Sequence, residues 1–241
     1  MVRFGKACQK FHDEVARNLK PAFIECDEMH SITYAKDVNL PDHLKGSLTH
    51  GDMWTFCGMC TDSRFMISWK IGKHHLASEV RQFTDDLASR IPGKVQIHTD
   101  QLWLYKAAFE GSFGKNADYA TTRKSMSESK TSPDGQFIQP DYRAAETRIR
   151  SEMGDPNMDA VTTNHVERQN LTVRTWNRRQ VRRTISHSKK PENANAHLAL
   201  HYFYYNYCHQ HASLEGSSPA MAMGVTDKLW SIRDIVNLVN N

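Results

Sequence analysis

An apolar run broken by the adjacent carboxylates Asp27 and Glu28, AFIECDEMHSI at residues 22–32, limits what this 241-residue chain can become. Pro21 closes the preceding segment, and the run after it reads as a first strand. Asp27 and Glu28 interrupt that strand. A carboxylate in a central strand is costly to bury unless it is paired, hydrogen-bonded or bound to metal. Either the strand carries the acids inward for a purpose, or it ends at Cys26 and both acids are solvated. The stretch alone leaves both readings open.

The surrounding order of elements narrows the fold. Residues 1–20 predict a short amphipathic helix, with Phe4, Ala7, Cys8, Phe11 and Val15 at helical spacing, a lead-in rather than a domain. Residues 34–52 are polar, with Pro41 and two glycines, and read as a loop. Two strands at 53–60 and 64–70, around the turn Thr61-Asp62-Ser63, predict a β-hairpin. A helix over 76–91 closes at Pro92-Gly93, and KVQIHTD then forms a short strand ending in Asp100, before the helix LWLYKAAFEGSFG. Asp100 thus falls at the carboxyl end of a strand, where α/β sheets present their ligands. It is equally placed to N-cap the next helix, and the two roles need not exclude each other. Residues 115–162 turn polar and irregular, with one short strand at 117–120, and a connection that long is functional or flexible. Pro191 opens a helix whose Leu198, Tyr202, Phe203 and Tyr205 belong to the core, 214–223 is extended, and 227–239 is a terminal helix. Strand, hairpin, helix, strand, helix, then more helices is the order of an α/β fold, a mixed sheet flanked by helices with a helical C-terminal extension.

A basic helix follows the irregular stretch. Residues 163–183 read TNHVERQNLTVRTWNRRQVRR, and as a helix from Val166 they put Glu167, Leu171, Arg174 and Arg178 on one stripe. Residues 168–190 hold eight basic side chains and no acid, in a chain of 31 basic and 27 acidic residues, so the rest carries 23 against 27. The basic character is local. A solvated helix face accounts for such a block on charge alone, but the single carboxylate at its head suits a divalent metal sitting on DNA phosphate.

With 39% hydrophobic residues the chain can bury one sizeable core. No apolar run approaches the roughly 18 residues needed to cross a bilayer, and MVRFGKACQKFHDEV lacks the apolar centre of a signal peptide, so a cytoplasmic protein with no membrane partner is expected. Five cysteines in such a chain are expected to be reduced. Cys57 and Cys60 form a C-x-x-C without a second such pair, and a zinc site would have to recruit His74 and His75.

Three stretches in order, CDEMHS, IHTDQLWLY and NHVERQNLTVRTWNRR, with the tail YNYCHQHASLEGSSPAMAMGVTDKLWS, resemble the catalytic domain of DDE transposases of the insertion-sequence-one family. The resemblance covers nearly the whole chain. It implies a ribonuclease-H-like fold, with a lead-in helix at 1–20, the catalytic domain at 21–190 including an irregular insertion at 115–162, and the helical extension at 191–241. It carries the triad over to Asp27, Asp100 and Glu167, which would also be the metal ligands. Glu28 is not the triad member in that pattern. Arg174, seven residues after the glutamate, matches a basic position of related transposases and integrases, and Arg168, Arg178, Arg179, Arg182 and Arg183 would join it on DNA. His209 stands where relatives often have arginine.

The implied activity is metal-dependent DNA cleavage and strand transfer in transposition. Three carboxylates would hold two Mg²⁺ ions about 4 Å apart, with Mn²⁺ as a substitute. The implied partners are DNA, as transposon ends and as target, and a second copy of the chain. Family members usually carry an N-terminal zinc element and a helix-turn-helix, which this sequence lacks, so a truncated chain or a separate end-recognition protein is expected. Two other readings stay open: a ribonuclease-H-like nuclease that cuts without joining, and a non-catalytic, regulatory DNA-binding remnant.

Overall fold

The computed structural model describes residues 1–74, 76–126, 130–131, 137–138, 144–181 and 184–240. Its centre is β1 (Phe23–Thr33), which continues through both acids rather than ending at Cys26. β1 pairs antiparallel with β2 (Gly51–Cys60), and β2 pairs antiparallel with β3 (Met66–Gly72), so the expected hairpin forms. On its other side β1 runs parallel to β4 (Val95–Thr99), and β4 parallel to β5 (Ala117–Met126). The order β3-β2-β1-β4-β5 with only β2 reversed is that of a ribonuclease-H-like sheet, and β8 (Ala144–Met153) adds a sixth, antiparallel strand. A separate two-residue pair, β6 (Lys130–Thr131) and β7 (Phe137–Ile138), lies between β5 and β8 in the chain.

The two ten-residue strands β5 and β8 correct the expectation of an irregular 115–162 insertion. The buried start of β5 is the short strand expected at 117–120, but its continuation and β8 carried no signal, because residues 123–125 and 146–150 are exposed throughout. A strand whose residues meet water on both faces has no alternation of apolar and polar positions to reveal it.

Side chains on successive β1 residues face opposite layers. Ile24 and Cys26 join the larger core under α2 (Ala77–Ser89) and α3 (Leu104–Phe113), with Phe56, Phe83, Leu87 and Tyr105. Met29 joins a smaller core with Cys57, Met59, Val166, Val173, Leu198 and Tyr202, under α4 (Asn164–Trp176) and α5 (Pro191–Phe203). Cys57 and Cys60 fall in different cores on opposite faces of β2, so they cannot share one metal ion. His74 stacks on Trp54, and His75 lies outside the described residues.

α1 (Val2–Val15) lies along the β3 edge. Its His12 is held neutral by burial, with a pKa lowered to about 4, and donates from Nε2 to the Ile67 carbonyl at 3.0 Å. Cys8 of α1, Phe203 at the end of α5, Tyr207 just after it, and Ile235 of α7 (Ile232–Asn240) all enter the larger core, so the two ends of the chain complete the packing of the sheet. Residues expected to be extended at 214–223 instead make a 3₁₀ turn (Ala212–Leu214) and α6 (Pro219–Ala222). α7 starts five residues later than its apolar pattern predicts. Ser231 and Asp234 cap it reciprocally, Asp234 Oδ2 accepting the Ser231 N–H at 2.7 Å and Ser231 Oγ accepting the Asp234 N–H at 3.3 Å. Among the described residues no helix is long and apolar enough to cross a membrane.

α1 is tied to α2 by Arg90, which is 3% exposed and reaches Asp13 Oδ1 at 2.5 Å and Asp86 Oδ2 at 2.9 Å. Removing this buried guanidinium leaves two carboxylates that are more than a third exposed, so solvent screens part of the loss, which comes to about 2 kcal/mol. Arg90→Ala is therefore expected to lower the unfolding free energy by that amount, read as a lower denaturation midpoint at an unchanged m-value. A loss below about 1 kcal/mol would mean that the pair contributes no more than a surface ion pair.

Candidate active site

The site forms because β1 outruns its neighbour. The last β1–β4 pair is Cys26 with Thr99, after which β4 stops and β1 continues. Asp27 and Glu28 sit on the two faces of β1 just past that point, and Asp100 follows directly on β4. Acids from both faces therefore close around the strand end, and the carboxylates of Asp27, Glu28 and Asp100 have oxygens within 4.8 Å of one another.

Each acid is held differently. Asp27 Oδ2 accepts from Asn170 Nδ2 of α4 at 2.8 Å, while the Cys57 thiol donates to the Asp27 carbonyl at 3.3 Å. Asp100 Oδ1 accepts the Leu102 N–H at 3.3 Å, an Asx turn. The N-cap of α3 is Trp103, so the N-cap reading of Asp100 is corrected: three residues intervene before the helix begins at Leu104. Glu28 Oε1 is buried and has no hydrogen-bond partner among the described residues, while the nearby Tyr105 hydroxyl opposes the rise in its pKa.

Glu167 stands at the rim, in the first turn of α4 and 46% exposed. Its Oε1 accepts from Lys124 Nζ of β5 at 2.6 Å and from Thr163 Oγ1 at 2.7 Å. It lies outside the tight group of three, yet near enough for its charge to raise the pKa of both Asp27 and Asp100. The acids singled out in the sequence are thus brought to one end of the sheet. Glu28, which the strand pattern singled out with Asp27 but the motif pattern passes over, joins them, and so does Lys124, which was not anticipated because it lies in the exposed part of β5.

The electrostatics follow from crowding. Burial, and then the neighbouring Asp100, push Asp27 up to about 7 and Glu28 up to about 8. Burial also raises Asp100, with Glu167 adding to the rise and Lys124 opposing it. Three converging hard oxygen donors, one of them a buried orphan, fit a divalent cation such as Mg²⁺ or Mn²⁺ and do not fit a thiolate-seeking metal.

The basic residues distribute less simply than one helical stripe. α4 ends at Trp176 because Asn177 leaves the helical region at φ −124°, ψ 93° and turns its side chain to accept the Arg179 N–H. Arg178 is therefore on a separate 3₁₀ turn (Arg178–Gln180), off the stripe of Glu167 and Arg174. Arg168 and Arg178 are exposed, Arg174 and Arg179 are half-buried, and Arg182 and Arg183 lie outside the described residues. Beside α4 runs a groove of about 590 Å³, lined by Arg64, Arg168, Gln169, Tyr205, His209 and His211 among others.

A stability profile tests this crowding. The folded chain keeps protons on Asp27 and Glu28 up to about 7 and about 8, whereas unfolded carboxyls lose theirs near 4. The folded state thus binds more protons between those values, so stability falls as pH rises through that window. In metal-free buffer the Tm is expected to drop from about pH 5 to about pH 8, and Mn²⁺ should raise it more at the higher pH. A metal-independent Tm that stays flat over this range would show that the three acids are not crowded in solution.

No family model matches this chain, and no curated protein matches it. Among solved structures, the cryo-EM structure of a piggyBac transposase synaptic complex with hairpin DNA is similar over 97% of this chain and 60% of that chain, with 11% sequence identity and a TM-score of 0.38. The chain thus spans about three fifths of that transposase chain, and the chemistry of the site rests on its own geometry.

Proposed function

We propose that this chain is a DDE-type transposase that cuts DNA at the ends of a mobile element and joins them to a target, with Mg²⁺ or Mn²⁺ as its cofactor. The observation that carries the reading is the meeting of Asp27, Glu28 and Asp100 around the end of β4, with Glu167 at the rim. In this reading Asp27, Asp100 and Glu167 are the catalytic carboxylates, as the resemblance to the insertion-sequence-one family implies, and Glu28 closes the floor of the same site. Bound divalent metal would supply Lewis-acid activation of the attacking oxygen and charge relief for the leaving oxygen of a phosphodiester.

The chain's own residues do the rest. Asn170 orients Asp27, Thr163 orients Glu167, and the Asx turn holds Asp100 toward them. Lys124, already at Glu167, offers a cation beside any phosphate that enters. Arg168, Arg178 and the groove beside α4 supply positive charge for the DNA backbone, with Arg174 and Arg179 behind them. Contacts of this kind set position and do not read sequence, so end recognition would come from a further domain or a separate protein. A homo-oligomer that holds two ends together, a cytoplasmic location, and the division into 1–20, 21–190 and 191–241 belong to the same proposal.

Incubating the chain with a pre-cleaved DNA end and supercoiled target in Mn²⁺ tests the reading. Joined products are expected from the parent, and Asp27→Asn, Asp100→Asn and Glu167→Gln should each reduce them by at least about 10³-fold with DNA affinity retained. Nicking of the target without joining would identify a nuclease instead, and DNA binding without metal-dependent chemistry would identify a regulatory protein. For Arg168→Ala, weaker DNA binding and a salt slope shallower by about 1 are expected, and an unchanged slope would remove Arg168 from the phosphate contacts.

A further inference from the structure

The fully buried Glu25 lies two residues before Asp27 on the same face of β1, turned toward α4. Its Oε2 accepts the backbone N–H groups of His165 at 2.9 Å and Val166 at 3.1 Å, and His165 Nδ1 lies 2.5 Å from its Oε1. These amides belong to the second and third residues of α4, which have no acceptor within the helix. The helix would ordinarily satisfy one of them with the side chain of its own N-cap, Thr163. Thr163 makes no such bond; its hydroxyl donates to Glu167 Oε1 instead. A carboxylate from a strand 140 residues earlier in the chain caps the helix in its place.

This exchange has a geometric result. α4 is fastened to β1 at two points, the His165 and Val166 amides on Glu25 and the Asn170 side chain on Asp27. Glu167 lies between these points, and Glu25 and Asp27 are separated along β1 by a single residue. The carboxylates from the strand and from the helix are thus tied to each other through a short, doubly anchored segment. We propose that Glu25 is a positioning residue for the carboxylate site: by capping α4 from β1 it fixes the helix segment that carries Glu167, and so fixes Glu167 relative to Asp27 and Asp100. The inference rests on the reading that these acids bind metal together. Glu25 itself touches neither metal nor DNA.

A cap that served stability alone would lower the Tm when removed and leave the metal site of the folded molecules unchanged, which separates the two roles. The test uses the full chain, Mn²⁺ binding by calorimetry without DNA, and single-turnover cleavage of a DNA end across a Mn²⁺ series. Glu25→Ala is expected to weaken Mn²⁺ binding and raise the half-saturating Mn²⁺ concentration for cleavage by about tenfold or more, with DNA affinity unchanged. Glu25→Gln, whose side-chain oxygen can still accept both amides, should return both to within about threefold of the parent. Should Glu25→Ala fail to fold, Glu25→Asp, which keeps the charge and shortens the reach, is expected to shift the Mn²⁺ requirement by more than about threefold. A folded Glu25→Ala or Glu25→Asp with a lowered Tm and the parent's Mn²⁺ response would overturn the positioning role and leave the proposed function intact. A parent that neither binds Mn²⁺ nor cuts DNA would overturn both.

Discussion

Bringing Asp27, Glu28 and Asp100 out of water and within 4.8 Å of one another is the most expensive thing this fold does, and much of the molecule is arranged around it. Each acid resists ionising first because it is buried and then because other acids are near. A central strand is one of the few places rigid enough to hold such an arrangement, since β1 is gripped by β2 along ten pairs and by β4 along four. The apolar layers on the two faces supply the favourable free energy: Ile24, Cys26, Phe56 and Leu87 on one side, Met29, Met59 and Val166 on the other. The acids occupy the stretch where both layers reach the end of β4.

α4 answers a second demand. A single exposed glutamate on a helix surface has many rotamers and a helix can slide, whereas Glu167 is restrained by Thr163 and Lys124 and its helix by Glu25 and Asn170. None of these partners is near Glu167 in sequence except Thr163 and Asn170. The site is therefore assembled from β1, β4, β5 and α4, four elements whose order in the sheet decides whether their side chains meet at all.

This division explains what could be read from the sequence. β1, the hairpin, α2, β4 and α3 were legible because each is buried on at least one face and so carries a periodic apolar pattern. Asp100 was legible as a strand-end residue for the same reason. Beyond its start at 117–120, β5 was not, nor was β8, since solvent on both sides of residues 123–125 and 146–150 removes the pattern, and Lys124 was lost with them. The end of α4 was misjudged because Arg178, Arg179 and Arg182 are good helix formers, while the deciding residue, Asn177, acts through a turn and a bond to His197. Glu25 shows the period-two spacing with Asp27, but nothing in the sequence indicates that its partner is the start of a helix 140 residues away. The C-x-x-C was resolved by parity: three positions along a strand place two side chains on opposite faces.

The strand parity that separates Cys57 from Cys60 also governs where this chain can change length. The 34–50 connection is made of exposed turns, and residues there can be gained or lost with the loss confined to a surface path. One residue gained between Phe23 and Asp27 is another matter. It would turn Glu25 and Asp27 toward Phe83 and Leu87, set Cys26 under α4, and leave the amides of His165 and Val166 facing a thiol. Length variation in this protein is therefore expected to accumulate in its turns and to be nearly absent from the nine residues of 23–26 and 95–99, where a single insertion exchanges the interior of the molecule for its chemistry.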